Sequence, residues 1–194
     1  MRSRWPASMT ASTDIAACRA HLRGGSRSFF AASLLLPRRV RAPATVLYAF
    51  CRLVDDAIDR DGGGAEEVAR LADRLDRIYA GRPLPIPADR ALSHVVNDYA
   101  IPRPLLDALL EGVAWDAEGR RYEDLAALRA YAARVAGSVG AMMALLMGVR
   151  SGDAVASTSI VVLPYCRLTS SMVSACSWLR PKCLSVVSPC SRSR

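Results

Sequence analysis

Apolar residues recur every three or four positions from about residue 14 to residue 150. This spacing lines them up along one face of an α-helix, and the stretch AEEVARLADRLDRIYAG shows it most clearly, with Gly81 at its end. The strict alternation expected of half-buried strands does not occur in this region. The pattern therefore predicts an all-α fold.

Glycine and proline mark the ends of the predicted helices. The first helix, DIAACRAHLRG, has Asp14 as its predicted N-cap, and the second, GSRSFFAASLLLP, ends at Pro37. The third, RAPATVLYAFCRLVDDAID, carries Pro43 near its first turn, where proline is tolerated. The segments DGGG and RPLPIP are predicted breaks on either side of the fourth helix. Three further helices are predicted over residues 88–100, 103–118 and 123–148.

The two ends of the chain differ in composition from the helical region. Residues 1–13 are positively charged without an apolar stretch behind them, which predicts a flexible N-terminal tail and no secretory signal. Residues 151–194 form a basic tail rich in serine and cysteine, and no Asp or Glu occurs from Ala154 onwards. This segment is either a poorly structured tail or the product of a shifted reading frame, and its composition favours the second interpretation.

The charges and cysteines exclude several classes of function. The formal net charge is +8, almost all from arginine, yet many of the arginines lie beside acids, as in DRLDR and AEGRRYED. Such runs are typical of solvated helix faces, and no helix-turn-helix, zinc-knuckle or aromatic-basic motif indicates nucleic-acid binding. No cysteine pair has C-x-x-C spacing, so neither zinc nor a disulfide framework is expected. No apolar run approaches the ~20 residues that span a bilayer.

The stretch YAFCRLVDDAID places acids, an arginine and a tyrosine among core-type residues. At 3.6 residues per turn, four of its polar residues lie within roughly 60° of one another on a helix: Tyr48, Arg52, Asp55 and Asp59. One explanation is a salt-bridged surface stripe, with Arg52 paired to Asp55 and Asp56. The other is a site in which the two spaced carboxylates share Mg²⁺ while Arg52 and Tyr48 hold a diphosphate.

A second candidate feature is the helical run YAARVAGSVGAMMALLMG, which contains Gly137 and Gly140. Glycine inside a helix costs about 1 kcal/mol relative to alanine, so its presence suggests that something approaches the backbone closely. Four residues recur at intervals of four along one side: Tyr131, Val135, Val139 and Met143. The run is either a tightly packed core helix or one wall of an apolar channel that accepts an isoprenoid tail.

Three segments, in the same order, resemble the squalene/phytoene synthase family, and within it the bacterial phytoene synthases. They are GSRSFFAASLLLP, YAFCRLVDDAID and EGVAWDAEGRRYEDLAALRAYAARVAGSVGAMMALLMGVR. The resemblance runs almost continuously over residues 14–150. It implies an isoprenoid-synthase-type helical bundle, of which residues 14–150 form the N-terminal portion, a partial helical prenyl synthase domain.

The resemblance also implies an activity. Members of this group are prenyltransferases that join two geranylgeranyl diphosphates head to head, through a cyclopropylcarbinyl diphosphate intermediate, to give phytoene in carotenoid biosynthesis. Two alternatives stay open: a squalene-type synthase that uses farnesyl diphosphate, and a non-catalytic truncated remnant.

Site residues follow from the family motifs by position. Asp55 and Asp59 match the first and last acids of the first aspartate-rich motif, which binds Mg²⁺ or Mn²⁺. Tyr48 and Arg52 match the tyrosine and the diphosphate-binding arginine upstream of that motif, and Tyr131 matches a tyrosine beside the reacting carbons. These three are the expected catalytic residues.

The expected substrate-binding residues lie in the other two segments. Ser26 and Arg27 match residues that contact diphosphate, and Phe29 matches a pocket aromatic. The remaining matches lie on the glycine-containing helix: Val135, Val139 and Gly140. Ser138 stands where the family more often has threonine or an aliphatic residue.

The printed sequence departs from the family at a second aspartate-rich motif, roughly N-x-x-R-D-x-x-x-D, which it does not contain. One aspartate pair can anchor only part of a metal cluster, so impaired activity is expected of this chain. The expected partner is a prenyl diphosphate, without nucleic acid. Because that substrate is apolar, a cytoplasmic protein loosely associated with the membrane is expected. The sequence carries no signal of the oligomeric state.

Overall fold

The computed structural model describes residues 9–60 and 64–150 of the 194-residue chain. Within these ranges the chain forms helices and no strand, which confirms the predicted all-α fold. The elements in chain order are α1 (Met9–Gly25), α2 (Arg27–Leu35), α3 (Arg38–Arg60), α4 (Ala65–Tyr79), α5 (Pro87–Tyr99), α6 (Arg103–Ala117), α7 (Leu125–Ala132), a π-helical turn (Ala133–Gly137) and α8 (Ser138–Met147).

The core is built around α3, which packs against α1, α5, α6 and α8. Phe50 of α3 is fully buried, as are Leu71, Leu75 and Ile78 on the apolar face of α4. These α4 positions are three of the four apolar positions whose spacing predicts the helix, and the fourth, Val68, is half-buried. The periodicity therefore identifies the buried face of α4 correctly.

A buried ion pair joins α4 to α5. Asp89 is completely buried, and its two carboxylate oxygens accept hydrogen bonds from Arg74 at 3.1 Å and 2.6 Å. The Arg74 guanidinium also lies 5.9 Å from the centre of the Phe50 ring of α3. A bidentate pair of this kind satisfies both buried charges and fixes the relative position of the two helices.

The start of α1 corrects one prediction. The helix begins at Met9, so Asp14 lies inside it and is not an N-cap, and Met9–Thr13 belong to the folded region rather than to a flexible tail. Asp14 is buried and accepts hydrogen bonds from Arg90 of α5 at 2.9 Å and 2.5 Å. A tertiary ion pair between distant segments therefore decides the environment of Asp14, and the local capping preference does not.

Helix α3 also begins earlier than predicted, at Arg38, so Pro43 lies inside it. Proline has no N–H, and the carbonyl of Arg39 therefore lacks its usual partner four residues on. The hydroxyl of Tyr99 donates a hydrogen bond to that carbonyl at 3.0 Å. This contact replaces the missing bond and ties α3 to the end of α5.

The predicted helix over residues 123–148 is divided into α7, the π-helical turn and α8. Its start is capped by Asp124, whose side chain accepts a hydrogen bond from the N–H of Ala127 at 2.7 Å. Together the three parts, Leu125–Met147, are long and apolar enough to cross a membrane by length and composition alone. Fully buried Met142 shows that this segment packs into the protein core, and core helices pass the same test.

The predictions for residues 1–8 and for the tail over residues 151–194 lie outside the described residues.

Candidate active site

A cavity of about 380 Å³ opens between α2, α3, α6 and the segment from α7 to α8. Most of its surface is apolar, and the chemistry-bearing residues lie among aliphatic ones. Its size is that of a small-ligand site. Of the predicted site residues, six line it: Phe29, Tyr48, Asp55, Tyr131, Val135 and Val139.

Two carboxylates from different helices face this cavity: Asp55 of α3 and Asp116 of α6. Burial, together with the negative charge of Asp59, raises the pKa of Asp55 to about 6, although the guanidinium of Arg52 acts in the opposite direction. The charges of Asp56 and Asp116 raise that pKa further. The site therefore concentrates negative charge that a cation would neutralise.

Arg52 lies beside the cavity rather than in its lining. Its guanidinium forms ion pairs with Asp55 at 2.7 Å and with Asp56 at 2.6 Å, as the surface-stripe explanation predicts. It lines a second, more polar depression next to α1, together with His21 and Asp56. Asp59 is exposed at the end of the stripe. The stripe thus contains the predicted ion pairs, while Asp55 also faces the cavity.

The acids at the cavity are too few to hold a metal ion without a further ligand. Among the residues that the structure describes, no three His, Cys, Asp or Glu side chains lie close enough to form a metal site by themselves. Mg²⁺, however, is commonly bound by one or two carboxylates and completed by phosphate oxygens and water. Burial first, and then the negative charge of Asp59, raise the pKa of Asp55, so its carboxylate is partly withdrawn from water and lies beside another acid. Such a carboxylate suits a magnesium ion that also binds a phosphate ligand, and the binding of that ion by Asp55 and Asp59 stays a prediction.

The tyrosines of the cavity are held by specific contacts. The hydroxyl of Tyr131 donates a hydrogen bond to Asp116 at 2.7 Å, and its ring lies 4.9 Å from the ring of Tyr122. The ring of Tyr48 lies 5.6 Å from that of Phe29. These contacts fix both tyrosines on the cavity surface.

The π-helical turn explains how one row of residues stays on the cavity. In a regular α-helix each step of four residues overshoots a full turn by about 40°, so the drift over three steps is about 120°. One residue inserted by a π turn rotates the register back by about 100°. All four residues of the predicted row line the cavity: Tyr131, Val135, Val139 and Met143.

Of the predicted substrate-binding residues at the start of α2, Phe29 lines the cavity, whereas Ser26 and Arg27 do not. Ser26 is the N-cap of α2 and accepts a hydrogen bond from the N–H of Phe29 at 3.3 Å, so its side chain has a structural contact. Arg27 is exposed, and neither residue lines the cavity. On the other wall, Gly140 is half-buried and is also outside the lining. The functional roles of all these residues stay predictions.

Sequence reasoning missed Asp116 as a site residue. It follows Leu109 and Val113 at intervals of four and three residues, so it continues an apolar stripe of α6 that lines the cavity. An acid on such a stripe is the signal that could have identified it. Cys51, which also lines the cavity, is a free thiol whose pKa burial raises to about 12, so it is poorly suited to act as a nucleophile at neutral pH.

Known proteins similar in sequence to this chain are named as phytoene or presqualene diphosphate synthases. The chain is 54% identical over 151 residues to a phytoene synthase of Rhodobacter capsulatus, and 37% identical over 127 residues to one of Thermus thermophilus. It is 33% identical over 132 residues to a presqualene diphosphate synthase of Rhodopseudomonas palustris. These alignments cover 76%, 66% and 66% of this chain, and 44%, 44% and 47% of the relatives.

Solved structures are similar in fold. A dehydrosqualene synthase with bound ligand superposes with a TM-score of 0.71 at 32% identity, over 77% of this chain and 52% of that one. A squalene synthase of Alicyclobacillus acidocaldarius gives a TM-score of 0.72 at 27% identity, over 78% and 58% of the two chains. The chain thus corresponds to about half the length of the proteins it matches, and the fold is the N-terminal portion of an isoprenoid-synthase-type bundle.

The squalene/phytoene synthase family model matches residues 22–160, a range that contains all the predicted site residues. With this match covering most of the chain, the protein belongs to the squalene/phytoene synthase family.

Proposed function

We propose that this chain forms one side of a prenyl diphosphate site of the phytoene synthase type, for two geranylgeranyl diphosphates condensed head to head. The observation that supports the proposal most directly is the composition of the cavity. One continuous surface joins aliphatic residues to Asp55, Asp116 and two tyrosines. An amphipathic ligand with a hydrocarbon tail and an anionic head has complementary chemistry.

The two parts of the ligand are assigned to different residues. The tail packs against the row that includes Val135 and Val139, and the diphosphate lies towards Asp55, with Mg²⁺ bound by Asp55 and Asp59. When bound, Mg²⁺ or Mn²⁺ supplies positive charge that stabilises the departing diphosphate. Arg52, which pairs with Asp55 beside the cavity, is assigned to hold diphosphate oxygens.

Tyr131 is assigned to the reacting end of the tail. Its hydroxyl donates to Asp116, and this hydrogen bond holds the oxygen at the cavity that Tyr131 lines, where positive charge develops on carbon in the proposed reaction. The lining around it is mostly apolar, as suits the hydrocarbon part of the ligand. The structure thus supports an electrostatic role for the Tyr131 oxygen, held in place by Asp116.

A squalene-type activity with farnesyl diphosphate is the second candidate. Relatives and structural neighbours that are named as presqualene diphosphate, dehydrosqualene and squalene synthases favour it at lower identity. Farnesyl diphosphate has a shorter tail than geranylgeranyl diphosphate, so the depth of the apolar cavity decides which of the two fits.

Binding and turnover test the proposal separately. The 194-residue chain is titrated with geranylgeranyl and farnesyl diphosphates in the presence of Mg²⁺, and phytoene formation is assayed with radiolabelled substrate. We expect binding that favours the longer diphosphate, is weakened about tenfold or more by Asp55→Asn, and is unchanged by Asp73→Asn on the exposed side of α4. If the unmodified chain binds neither diphosphate, the proposal is overturned.

We expect little or no phytoene, because the printed sequence lacks the second aspartate-rich motif. Phytoene formation at a rate comparable to that of a full-length relative overturns this part of the proposal alone. Tighter binding of farnesyl diphosphate favours the squalene-type alternative.

We also propose that the protein is cytoplasmic and associates loosely with membranes through the end of α2. Leu34 and Leu35 are 43% and 89% exposed there, and the exposed side chains of Arg38 and Arg39 follow them. Apolar side chains beside cations suit a surface of anionic lipid. Co-sedimentation with phosphatidylglycerol vesicles is expected to be lost in Leu35→Glu and kept in Met147→Glu; equal loss in both variants contradicts this placement.

A further inference from the structure

Helix α6 crosses the π-helical turn at Gly112, where the absence of a side chain permits a very close approach. A Cβ atom placed on Gly112 would lie 2.6 Å from Cγ1 of Val135 and 3.0 Å from Cβ of Arg134. The first distance is far below the 3.5–4.0 Å at which carbon atoms pack. Gly112 is buried, so no solvent space relieves the contact.

The contact bears mainly on one methyl group of Val135. The backbone nitrogen of Val135 would lie 3.4 Å from the added atom, which is an ordinary van der Waals distance. The Cβ of Arg134, at 3.0 Å, requires the turn to shift by a few tenths of an ångström, whereas the Cγ1 methyl of Val135 cannot stay where it is at all. Since valine is branched at Cβ, moving that methyl requires rotation of the whole side chain about χ1.

Neighbouring contacts hold the turn against α6. The Nε atom of Arg134 forms an ion pair with Glu111 of α6 at 2.9 Å, and its guanidinium lies 4.3 Å from the centre of the Trp115 ring. A further hydrogen bond runs from Arg134 to the carbonyl of Ala130 at 3.0 Å. The open space adjacent to Val135 is the cavity that it lines, so a displaced methyl group enters the cavity.

We propose that Gly112 is a specificity-determining residue, which keeps the cavity wide enough for a hydrocarbon tail by letting Val135 pack back against α6. The inference deepens the proposed function, since it rests on a prenyl tail lying along the row that contains Val135. A side chain at position 112 narrows the cavity beside Tyr131 without touching the ligand itself.

The test separates tail recognition from diphosphate recognition by using prenyl alcohols. Dissociation constants of farnesol and geranylgeraniol are measured for the unmodified chain, Gly112→Ala, Val135→Ala and the double variant. We expect Gly112→Ala to weaken the binding of both alcohols about tenfold, because the displaced methyl group narrows the cavity along the part of the tail that the two alcohols share. The double variant lacks the displaced Cγ1 methyl, so both of its constants return to within about threefold of the original values.

Gly64→Ala is the matched control, because Gly64 has a negative φ and nothing within 4 Å of the added methyl group. It is expected to leave both constants unchanged. Circular dichroism establishes that each variant is folded. If Gly112→Ala does not fold, the double variant carries the test, since it must fold and bind both alcohols.

Two results overturn the inference: unchanged constants in folded Gly112→Ala, or a double variant that does not recover. Failure of the proposed function is a different result. In that case the chain binds the alcohols, with the changes expected above, but gains nothing from the corresponding diphosphates with Mg²⁺. Absence of binding for alcohols and diphosphates alike overturns both.

Discussion

Asp89, between α4 and α5, and Asp55, at the cavity, are both acids withdrawn from bulk water, but their surroundings differ. Asp89 faces one guanidinium that binds both of its oxygens. Asp55 shares Arg52 with Asp56 and also experiences the charges of Asp59 and Asp116. The first carboxylate is neutralised by its partner, whereas the second retains uncompensated negative charge.

The difference separates a structural region from a functional one. Around Asp89 the side chains fill the interior, as fully buried Leu75 and Ile78 show. Around Asp55 the helices leave a cavity of about 380 Å³. An excess of like charge beside an open cavity is unfavourable for folding, and it is suited to a cation and a phosphate ligand. Variants on the two sides should therefore affect stability and binding differently.

The largest effect is expected from Asp89→Asn. This substitution leaves the partly buried guanidinium of Arg74 with a neutral partner, and breaking a buried pair costs about 3–5 kcal/mol of unfolding free energy. Urea unfolding monitored by circular dichroism measures it. Asp73→Asn is the control, because Asp73 pairs with Arg77 at the surface and its loss costs about 1 kcal/mol or less. Similar costs for the two variants would show that the Arg74–Asp89 pair contributes no more than a surface pair.

Asp55→Asn is expected to change the free energy of unfolding in the opposite direction, that is, to stabilise the protein at neutral pH. The folded-state pKa of Asp55, about 6, lies above its ordinary value of 3.8, so the folded protein binds the proton more tightly than the unfolded chain does. Stability without ligand therefore falls as pH rises from about 4 to about 6, by about 1–2 kcal/mol after allowance for partial solvent screening.

Asparagine at position 55 removes that dependence. We expect Asp55→Asn to be more stable than the original chain at pH 7 by a similar amount, while its binding of prenyl diphosphate with Mg²⁺ is weakened. Urea unfolding at pH 4, 5, 6 and 7 tests both variants. A pH dependence that is the same with and without the carboxylate would assign it to another group.

A matched pair of tyrosines gives a smaller effect. The hydroxyl of Tyr79 donates to the carbonyl of Ile101 at 3.1 Å on the structural side, and that of Tyr131 donates to Asp116 at 2.7 Å on the cavity side. Phenylalanine at either position removes one hydrogen bond, which should lower the free energy of unfolding by about 1 kcal/mol. Only Tyr131→Phe should also weaken binding of prenyl diphosphate. Equal effects of the two variants on binding would remove the distinction between the two sides.

Local patterns predicted the helices and part of the site because both depend on spacing along the chain. The stripe from Tyr48 to Asp59 lies on one helix, so helical periodicity could place it. The row from Tyr131 to Met143 was found from its four-residue spacing, but it spans α7, the π-helical turn and α8. The π-helical turn that keeps the row on the cavity was not predicted, since residue spacing alone does not reveal one inserted residue.

Contacts between elements were beyond such reasoning. Asp14 was predicted as a cap because capping is local, but its partner, Arg90, is 76 residues away in the chain. Gly112 and Asp116 of α6 act through direct contacts with the π-helical turn and with α7, which are separate elements. No spacing within α6 could reveal these contacts.

The smallest expected effect concerns the link between α3 and α5 near Pro43. Tyr99→Phe removes the hydrogen bond to the carbonyl of Arg39, and it should cost about 0.5–1 kcal/mol, because that contact is accessible to water. In a Pro43→Ala background the N–H of the new alanine can satisfy the same carbonyl, so Tyr99→Phe should then cost almost nothing. The double-mutant cycle, measured by urea unfolding, isolates this coupling from the packing changes that each substitution causes alone. A cost for Tyr99→Phe that is independent of residue 43 would show that the tyrosine does not replace the bond that proline lacks.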